Sequence, residues 1–351
     1  MNHQISYSYN VLFALSIINL VGSSISLLCL LLVLFILVCK KKIKFFVNEL
    51  LLYITISEIC NSISKFLDLC KKIDVITNSS ILKEIIISIQ VILSIFSDFC
   101  TLITSLLISL KFYDSLKNNS ICFNKKCLRV LARITCIGGS LVLAGVFFSL
   151  DRFLFGQQDQ ENKWEKDYWT WVAPKLSLII YGIVLLIIIV IIVISCKTIS
   201  YLRKKRKEFS DADKESSIDE GSNHTSKAED KEKRMFSETL ITEQIEKVMG
   251  TFYKYPFVST TIWLILGVYR VTEDVYLIKE LIPSSKVMII LTILVIIHSL
   301  ISSLRGVIYF FAYFRSSKIV CRDFIDLFMP RKVSIPSERV TERETKLTII
   351  L

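Results

Sequence analysis

Four residues with ionisable side chains lie inside segments that are otherwise apolar enough to cross a membrane: Glu58, Asp98, His298 and Arg305. A charge at membrane depth costs about 3 kcal/mol on insertion scales, so such residues usually face the interior of a helix bundle and pair there. The planar fork of an arginine suits carboxylates and stays charged. We therefore predict a polar network in which Glu58 pairs with Arg305 or with a polar group of another helix.

Three roles are open for this network of Glu58, Asp98, His298 and Arg305. It is a structural clasp or conformational switch between helices, a set of isolated protonated acids, or a path for ions or protons. A lone membrane histidine is more often a satisfied interior residue than a metal ligand. Because the chain has three histidines, and only His298 lies in an apolar segment, we predict no multi-histidine zinc site.

A second polar group lies nearer the predicted outer side of the membrane, in the second, third and sixth apolar segments. Its members are Lys65, Asp68, Gln90, Arg270, Glu273 and Asp274. We predict that they line a wet cavity that binds an extracellular ligand, and the cations Lys65 and Arg270 would suit an anionic one. The alternative is that these side chains snorkel to the membrane interface or form salt bridges there.

The composition indicates the elements that must position these groups. Hydrophobic residues make up 52% of the 351 residues, the mean hydropathy is +0.54, and the chain contains 10 glycines and 5 prolines. Such values indicate an all-α membrane protein. Since a spanning helix needs about 20 apolar residues, seven segments qualify, of which the sixth is the least apolar. They are 11–39, 46–69, 84–112, 128–150, 173–196, 250–276 and 287–314.

The distribution of basic residues predicts the orientation. The net charge of +11 would also suit nucleic acid, but the lysines and arginines cluster between and after apolar segments, which favours a membrane protein without a nucleic-acid partner. Residues 1–10 carry neither lysine nor arginine, whereas a basic cluster follows the first segment. By the positive-inside rule, the short N-terminus 1–10 lies outside and the C-terminus inside.

The domain prediction is a seven-helix transmembrane bundle over 11–315, with a cytoplasmic tail over 316–351. The charged, serine-rich stretch 203–247 cannot bury a core and is predicted to be a largely disordered cytoplasmic loop. Its flanks, 197–209 and 237–250, are predicted to be helical extensions of the fifth and sixth segments. Apolar residues recur at helical spacing over 317–329, which predicts an amphipathic helix on the inner leaflet.

Three single residues carry more local predictions. Asn78 begins a glycosylation sequon in a loop placed outside. Cys321, in the predicted tail helix, is a candidate for palmitoylation, although an ordinary cysteine is an equal alternative. Pro256 predicts a kink near the inner end of the sixth helix.

The sequence shows no signature of catalysis. It contains neither a phosphate-binding glycine loop nor a serine-hydrolase elbow. We therefore predict that the protein is not an enzyme, with no catalytic residue, no metal and no cofactor.

Several motifs resemble the cyclic-AMP-receptor (class E) family of G-protein-coupled receptors. The run NELLLYITISE, with Asn48, Ser57 and Glu58, is similar to the start of the family's second helix, in which an aspartate takes the place of Glu58. The run from Gln90 to Tyr113 is similar to its third helix.

The last two segments add to this resemblance. YPFVSTTIWLILGVYRV, with Tyr255, Pro256 and Arg270, resembles the family's sixth helix. SLISSLRGVIYFFAYF, with Gly306 and Tyr309 and ending near Tyr313, resembles its seventh.

The resemblance implies a receptor in the plasma membrane. It would bind an unidentified extracellular ligand and transduce that binding to a heterotrimeric G protein on the cytoplasmic side. Basic loops and helix ends predict contact with acidic partner surfaces or anionic membrane lipids. The alternative is a small transporter or channel that uses Glu58, Asp98 and Arg305 as a relay.

Overall fold

The computed structural model describes residues 9–39, 46–72, 80–118, 126–155, 174–216, 254–279 and 284–316, which form seven helices and no strand. Three pieces, Lys126–Arg133, a π-helical turn Ile134–Gly139 and Ser140–Phe155, follow one another without a break and are counted as one helix, α4. The others are α1 (Tyr9–Cys39), α2 (Phe46–Lys72), α3 (Ser80–Asn118), α5 (Pro174–Ser216), α6 (Lys254–Ile278) and α7 (Ser285–Ser316). The prediction of an all-α fold is confirmed.

Six of these helices contain a stretch that is long and apolar enough to cross a membrane. The exception is α6, in which Arg270, Glu273 and Asp274 interrupt the apolar sequence and are buried among the other helices. By length and composition, the described part of the chain therefore has the architecture of a helical membrane protein with six spanning helices. The prediction of seven spans is met by six of them.

Helix α5 does not end near residue 196 but continues to Ser216. This continuation includes residues 197–209, which were predicted to extend the fifth helix, and residues 210–216, which were predicted to be disordered. Lysine, arginine and glutamate are strong helix formers. The rest of the predicted loop, Asn78, the tail helix 317–329 and Cys321 lie outside the described residues.

The bundle buries polar residues and exposes apolar ones. In α3 the buried polar positions recur every three or four residues, so that they form one stripe along the helix: Gln90, Ser94, Ser97, Asp98, Thr101, Ser105 and Ser109. Large apolar side chains point outwards on several helices, for example Leu28 and Phe257 at 69% and 65% exposed. A lipid environment explains both observations, because apolar faces can contact lipid while polar side chains must find partners inside the bundle.

Helices α1 and α7 pack closely at two glycines. A Cβ atom at Gly22 would lie 2.6 Å from the Cβ of Ser303, and one at Gly306 would lie 2.7 Å from the Leu30 Cδ1 and 2.8 Å from the Ser26 Cβ. Glycine is therefore required at both positions for the backbones to approach this closely.

Hydrogen bonds tie the same two helices together. The Asn19 Oδ1 accepts bonds from the hydroxyls of Ser299 (2.8 Å) and Ser303 (2.7 Å), and the Ser26 hydroxyl donates to the Ser303 carbonyl at 2.6 Å. These contacts fix α7 against α1 on the turns that precede Arg305.

Candidate functional site: a buried charge triad

Three of the four predicted network residues meet at the centre of the bundle. The Arg305 Nη2 donates to the Glu58 Oε1 at 2.6 Å, and its Nη1 donates to the Asp98 Oδ1 at 2.7 Å. All three side chains are at least 93% buried. One guanidinium of α7 thus holds carboxylates of α2 and α3, and we call this group the central triad.

The hydroxyl of Thr101 supports the triad from α3. It donates to the Glu58 Oε1 at 2.9 Å and lies 2.8 Å from the Ser57 hydroxyl. The Glu58 Oε1 therefore accepts two hydrogen bonds, whereas its Oε2 is buried without a partner among the described residues. The triad counts two acidic groups for one base, so its charge is balanced only if the carboxylates hold a proton.

Helix α6 contacts the triad through an aromatic ring. The Arg305 Cζ lies 5.3 Å from the centroid of the Trp263 ring, a distance at which the ring quadrupole attracts a cation. The Trp263 Nε1 has no hydrogen-bond partner among the described residues. The contact between Trp263 and Arg305 is thus direct but not fixed by a hydrogen bond.

A small cavity adjoins the triad. Its walls come from five helices, and it has a volume of about 10 Å³, the room for about one water molecule. It is lined by Asn61, Asp98, Tyr181, Trp263, Leu266, His298, Ser302 and Arg305.

His298 is the fourth predicted network residue and stands apart from the ion pairs. It lines the cavity, is 5% exposed, and its ring centroid lies 5.0 Å from that of Tyr269. Within the described residues, no group of three or more histidine, cysteine, aspartate or glutamate side chains is placed to hold a metal ion.

Three residues of the predicted ligand site, Arg270, Glu273 and Asp274, lie on α6 and are buried. Arg270 donates through its Nη1 to the Glu273 Oε2 at 2.7 Å, and the Tyr269 hydroxyl donates to the Glu273 Oε1 at 2.7 Å. The Ser177 hydroxyl of α5 donates to the Asp274 Oδ2 at 2.6 Å. These contacts correspond to the salt-bridge alternative.

The other three residues of that group lie on α2 and α3. Gln90 is buried, Lys65 is partly buried, and Asp68 lies on α2 with a side chain outside the described set. The cavity beside the triad is lined by none of the six. Their role in binding a ligand remains a prediction.

Sequence reasoning missed a second ionic contact, which joins α2 to α4. The Glu49 Oε1 accepts hydrogen bonds from the Arg133 Nε and, at 2.5 Å, from the Tyr53 hydroxyl. Glu49 is 5% exposed, but the Arg133 side chain is 55% exposed. We call this contact the α2–α4 pair. Glu49 is visible in the sequence as an acid in the first turn of a spanning helix, but nothing in the sequence indicates its partner.

The α2–α4 pair borders the π-helical turn Ile134–Gly139. Within that turn the buried Cys136 accepts a hydrogen bond from the Thr104 hydroxyl through its sulfur, and its carbonyl accepts one from Ser140. Cys136 is one of five cysteines with described side chains that are free, together with Cys29, Cys60, Cys100 and Cys196. The kink predicted at Pro256 stays a prediction, because this residue lies in the first turn of α6, where proline is compatible with a helix start.

Comparison with models of known protein families gives no match, and comparison with curated proteins gives none either. The functional argument therefore depends on the geometry of the site and on the motifs of the sequence.

Proposed function

We propose that the protein is a seven-helix receptor of the plasma membrane that couples an extracellular ligand to a cytoplasmic G protein. In this proposal α6 also crosses the membrane, the start of α1 lies outside, and the end of α7 lies inside. The described helices supply the required number of elements in the required order. The resemblance of their motifs to the class E receptors supports the coupling partner.

The observation that carries the proposal is the central triad. A receptor must have two packings of its helices whose free energies differ by little, so that a ligand can shift the population from one to the other. Arg305 holds α2 and α3 to α7 by two ion pairs at the bundle centre. A change at such a junction alters the relative positions of three helices at once.

The contact of α6 fits the element that moves. The face of its Trp263 ring packs on the Arg305 guanidinium. A cation–π contact contributes only about 0.5 to 2 kcal/mol to stability. Helix α6 can therefore separate from the triad at a smaller cost than α2 or α3. Movement of its inner half would open a cytoplasmic cleft for a G protein.

The burial of the charges in α6 supports the proposal that this helix crosses the membrane despite its low hydropathy. Arg270 and Glu273 neutralise one another, and Asp274 accepts a hydrogen bond from α5. Residues that face lipid in α6, such as Leu264 and Val268, are apolar and 43% and 58% exposed. Paired charges on the interior face of a bundle are tolerated within a membrane.

The test measures ligand-free nucleotide exchange on a panel of G proteins in cells that express the full chain. Glu58→Gln removes one charge of the triad and weakens its bond to Arg305. Because the bond holds the resting packing, we expect a severalfold rise in exchange at equal surface expression. Lys286→Gln is the matched control, since it removes an exposed charge at the far end of α7.

Two results would contradict the proposal. One is exchange no higher than in cells without the chain for every G protein tested. The other is ion or proton flux into vesicles that carry the purified protein and that Glu58→Gln abolishes, which would favour the transporter or channel with a Glu58, Asp98 and Arg305 relay.

A further inference from the structure

Two residues that line the cavity beside the central triad carry a hydrogen-bond donor with no acceptor among the described residues. The Trp263 Nε1 and the Arg305 Nε are buried and without a partner within the described ranges, and both residues line the cavity. Each residue is 2% exposed. A buried donor without an acceptor is costly, so a ligand that accepts hydrogen bonds from both nitrogens would be strongly favoured.

The charges around the cavity restrict the chemistry of that ligand. A cation would meet the two N–H groups and the guanidinium charge at close range. An anion would meet Asp98 in the cavity wall and Glu58 beside it, where acidic groups already outnumber the base. A neutral molecule that both accepts and donates hydrogen bonds satisfies all of these groups.

Size restricts the ligand further. The cavity volume of about 10 Å³ corresponds to about one water molecule, and a buried water needs two to four polar partners. Trp263 and Arg305 supply two donors, and Asp98, Ser302 and Asn61 in the same wall offer acceptors.

We infer that this cavity is a binding site for a single ordered water molecule that bridges Trp263 of α6 to Arg305 of α7 and Asp98 of α3. The water supplies the directional link that the ring contact between Trp263 and Arg305 lacks. It makes the junction of α6 with the triad depend on one exchangeable molecule. The site does not depend on the proposed coupling to a G protein.

The direct test is a crystal structure of the full chain in a lipid phase, at a resolution that shows ordered water. We expect one density peak within hydrogen-bond distance of the Trp263 Nε1 and the Arg305 Nε. The peak should be lost in Trp263→Phe, which keeps a ring over the guanidinium but removes the donor. A well-resolved cavity without such a peak would overturn the inference.

Exchange of chloride for bromide in the same crystals separates water from an anion. Water gives no anomalous signal at the peak, and this is the expected result. An anomalous peak between Trp263 and Arg305 would overturn the inference in favour of an anion site.

A solution measurement tests the same site without crystals. X-ray pulses form hydroxyl radicals from bound water, so Trp263 should be oxidised despite its burial. Tyr269, also 2% exposed but outside the cavity lining, is the control. After correction for intrinsic reactivity, we expect severalfold more labelling of Trp263, and equal labelling would contradict the bound water.

Discussion

The central triad and the α2–α4 pair each contain an ion pair between an arginine and a glutamate, but the two pairs differ in burial. The Arg305 side chain is 3% exposed and serves two carboxylates, whereas the Arg133 side chain is 55% exposed and serves Glu49 alone. The described helices leave more than half of the Arg133 side chain uncovered, whereas they enclose that of Arg305 almost completely. The comparison teaches that burial, more than the identity of the pair, decides what each contact contributes.

The two contacts also differ in what they connect. The central triad links α7 to α2 and α3, with partners 247 and 207 residues apart in sequence. The α2–α4 pair links the starts of two helices, and Tyr53 gives Glu49 a second donor from its own helix. Loss of Arg133 therefore leaves Glu49 with one bond, whereas loss of Arg305 leaves Asp98 without an ionic partner.

The largest expected effect is that of Arg305→Ala. It leaves two carboxylates buried without their base, and breaking a buried ion pair in this way costs about 3 to 5 kcal/mol. The measurement is the free energy of unfolding of the purified chain in lipid nanodiscs. Arg305→Met combined with Glu58→Gln and Asp98→Asn removes the charges together and should recover much of the loss. Failure of this triple variant to recover stability would contradict the electrostatic explanation.

A smaller effect is expected when the triad is displaced without a change in charge. Gly306→Val places methyl groups where a Cβ alone would lie 2.7 Å from Leu30, and such overpacking costs about 1 to 3 kcal/mol. Gly145→Val is the matched control, because a Cβ at Gly145 meets nothing within 4 Å. Equal unfolding free energies for the two variants would show that the close α1–α7 approach is not needed to position Arg305.

The smallest effect is expected for Arg133→Ala. An ion pair with one exposed partner contributes about 1 kcal/mol or less, and the Tyr53 hydroxyl continues to donate to Glu49. The same unfolding assay should show a small loss that decreases further as salt is added, because salt screens exposed charges. A loss as large as that of Arg305→Ala would remove the distinction between the two contacts.

Much of the helical layout could be predicted because it depends on local composition. Long apolar runs place the spanning helices within a few residues of their observed bounds, as for α1, predicted over 11–39 and observed over Tyr9–Cys39. The continuation of α5 from residue 210 to Ser216 was missed because a charged stretch is compatible with both a helix and a disordered loop. Its lysine and glutamate content favours the helix only where a preceding turn already exists to propagate.

The candidate site likewise contains residues that could be predicted from the sequence and residues that could not. Counting depth from the ends of each segment singles out Glu58, Asp98 and Arg305, because a charge within an apolar run needs a partner at the same level of the bundle. The contribution of Trp263 is not visible in this way, since a tryptophan in a spanning helix faces lipid or protein with equal ease. The contact between Glu49 and Arg133 could not be predicted either, because it depends on which helices pack against α4.

The sequence by itself determined the apolar cores of the helices and the depth of Glu58, Asp98 and Arg305 within them, because these follow from apolar length and from the cost of an unpaired charge. Only the tertiary structure decided that Ser177 donates to Asp274, that Arg133 reaches Glu49, and that Trp263 covers Arg305. Each of these contacts depends on the rotation of a helix about its axis. That rotation is set by packing among several helices, and no single segment contains the information.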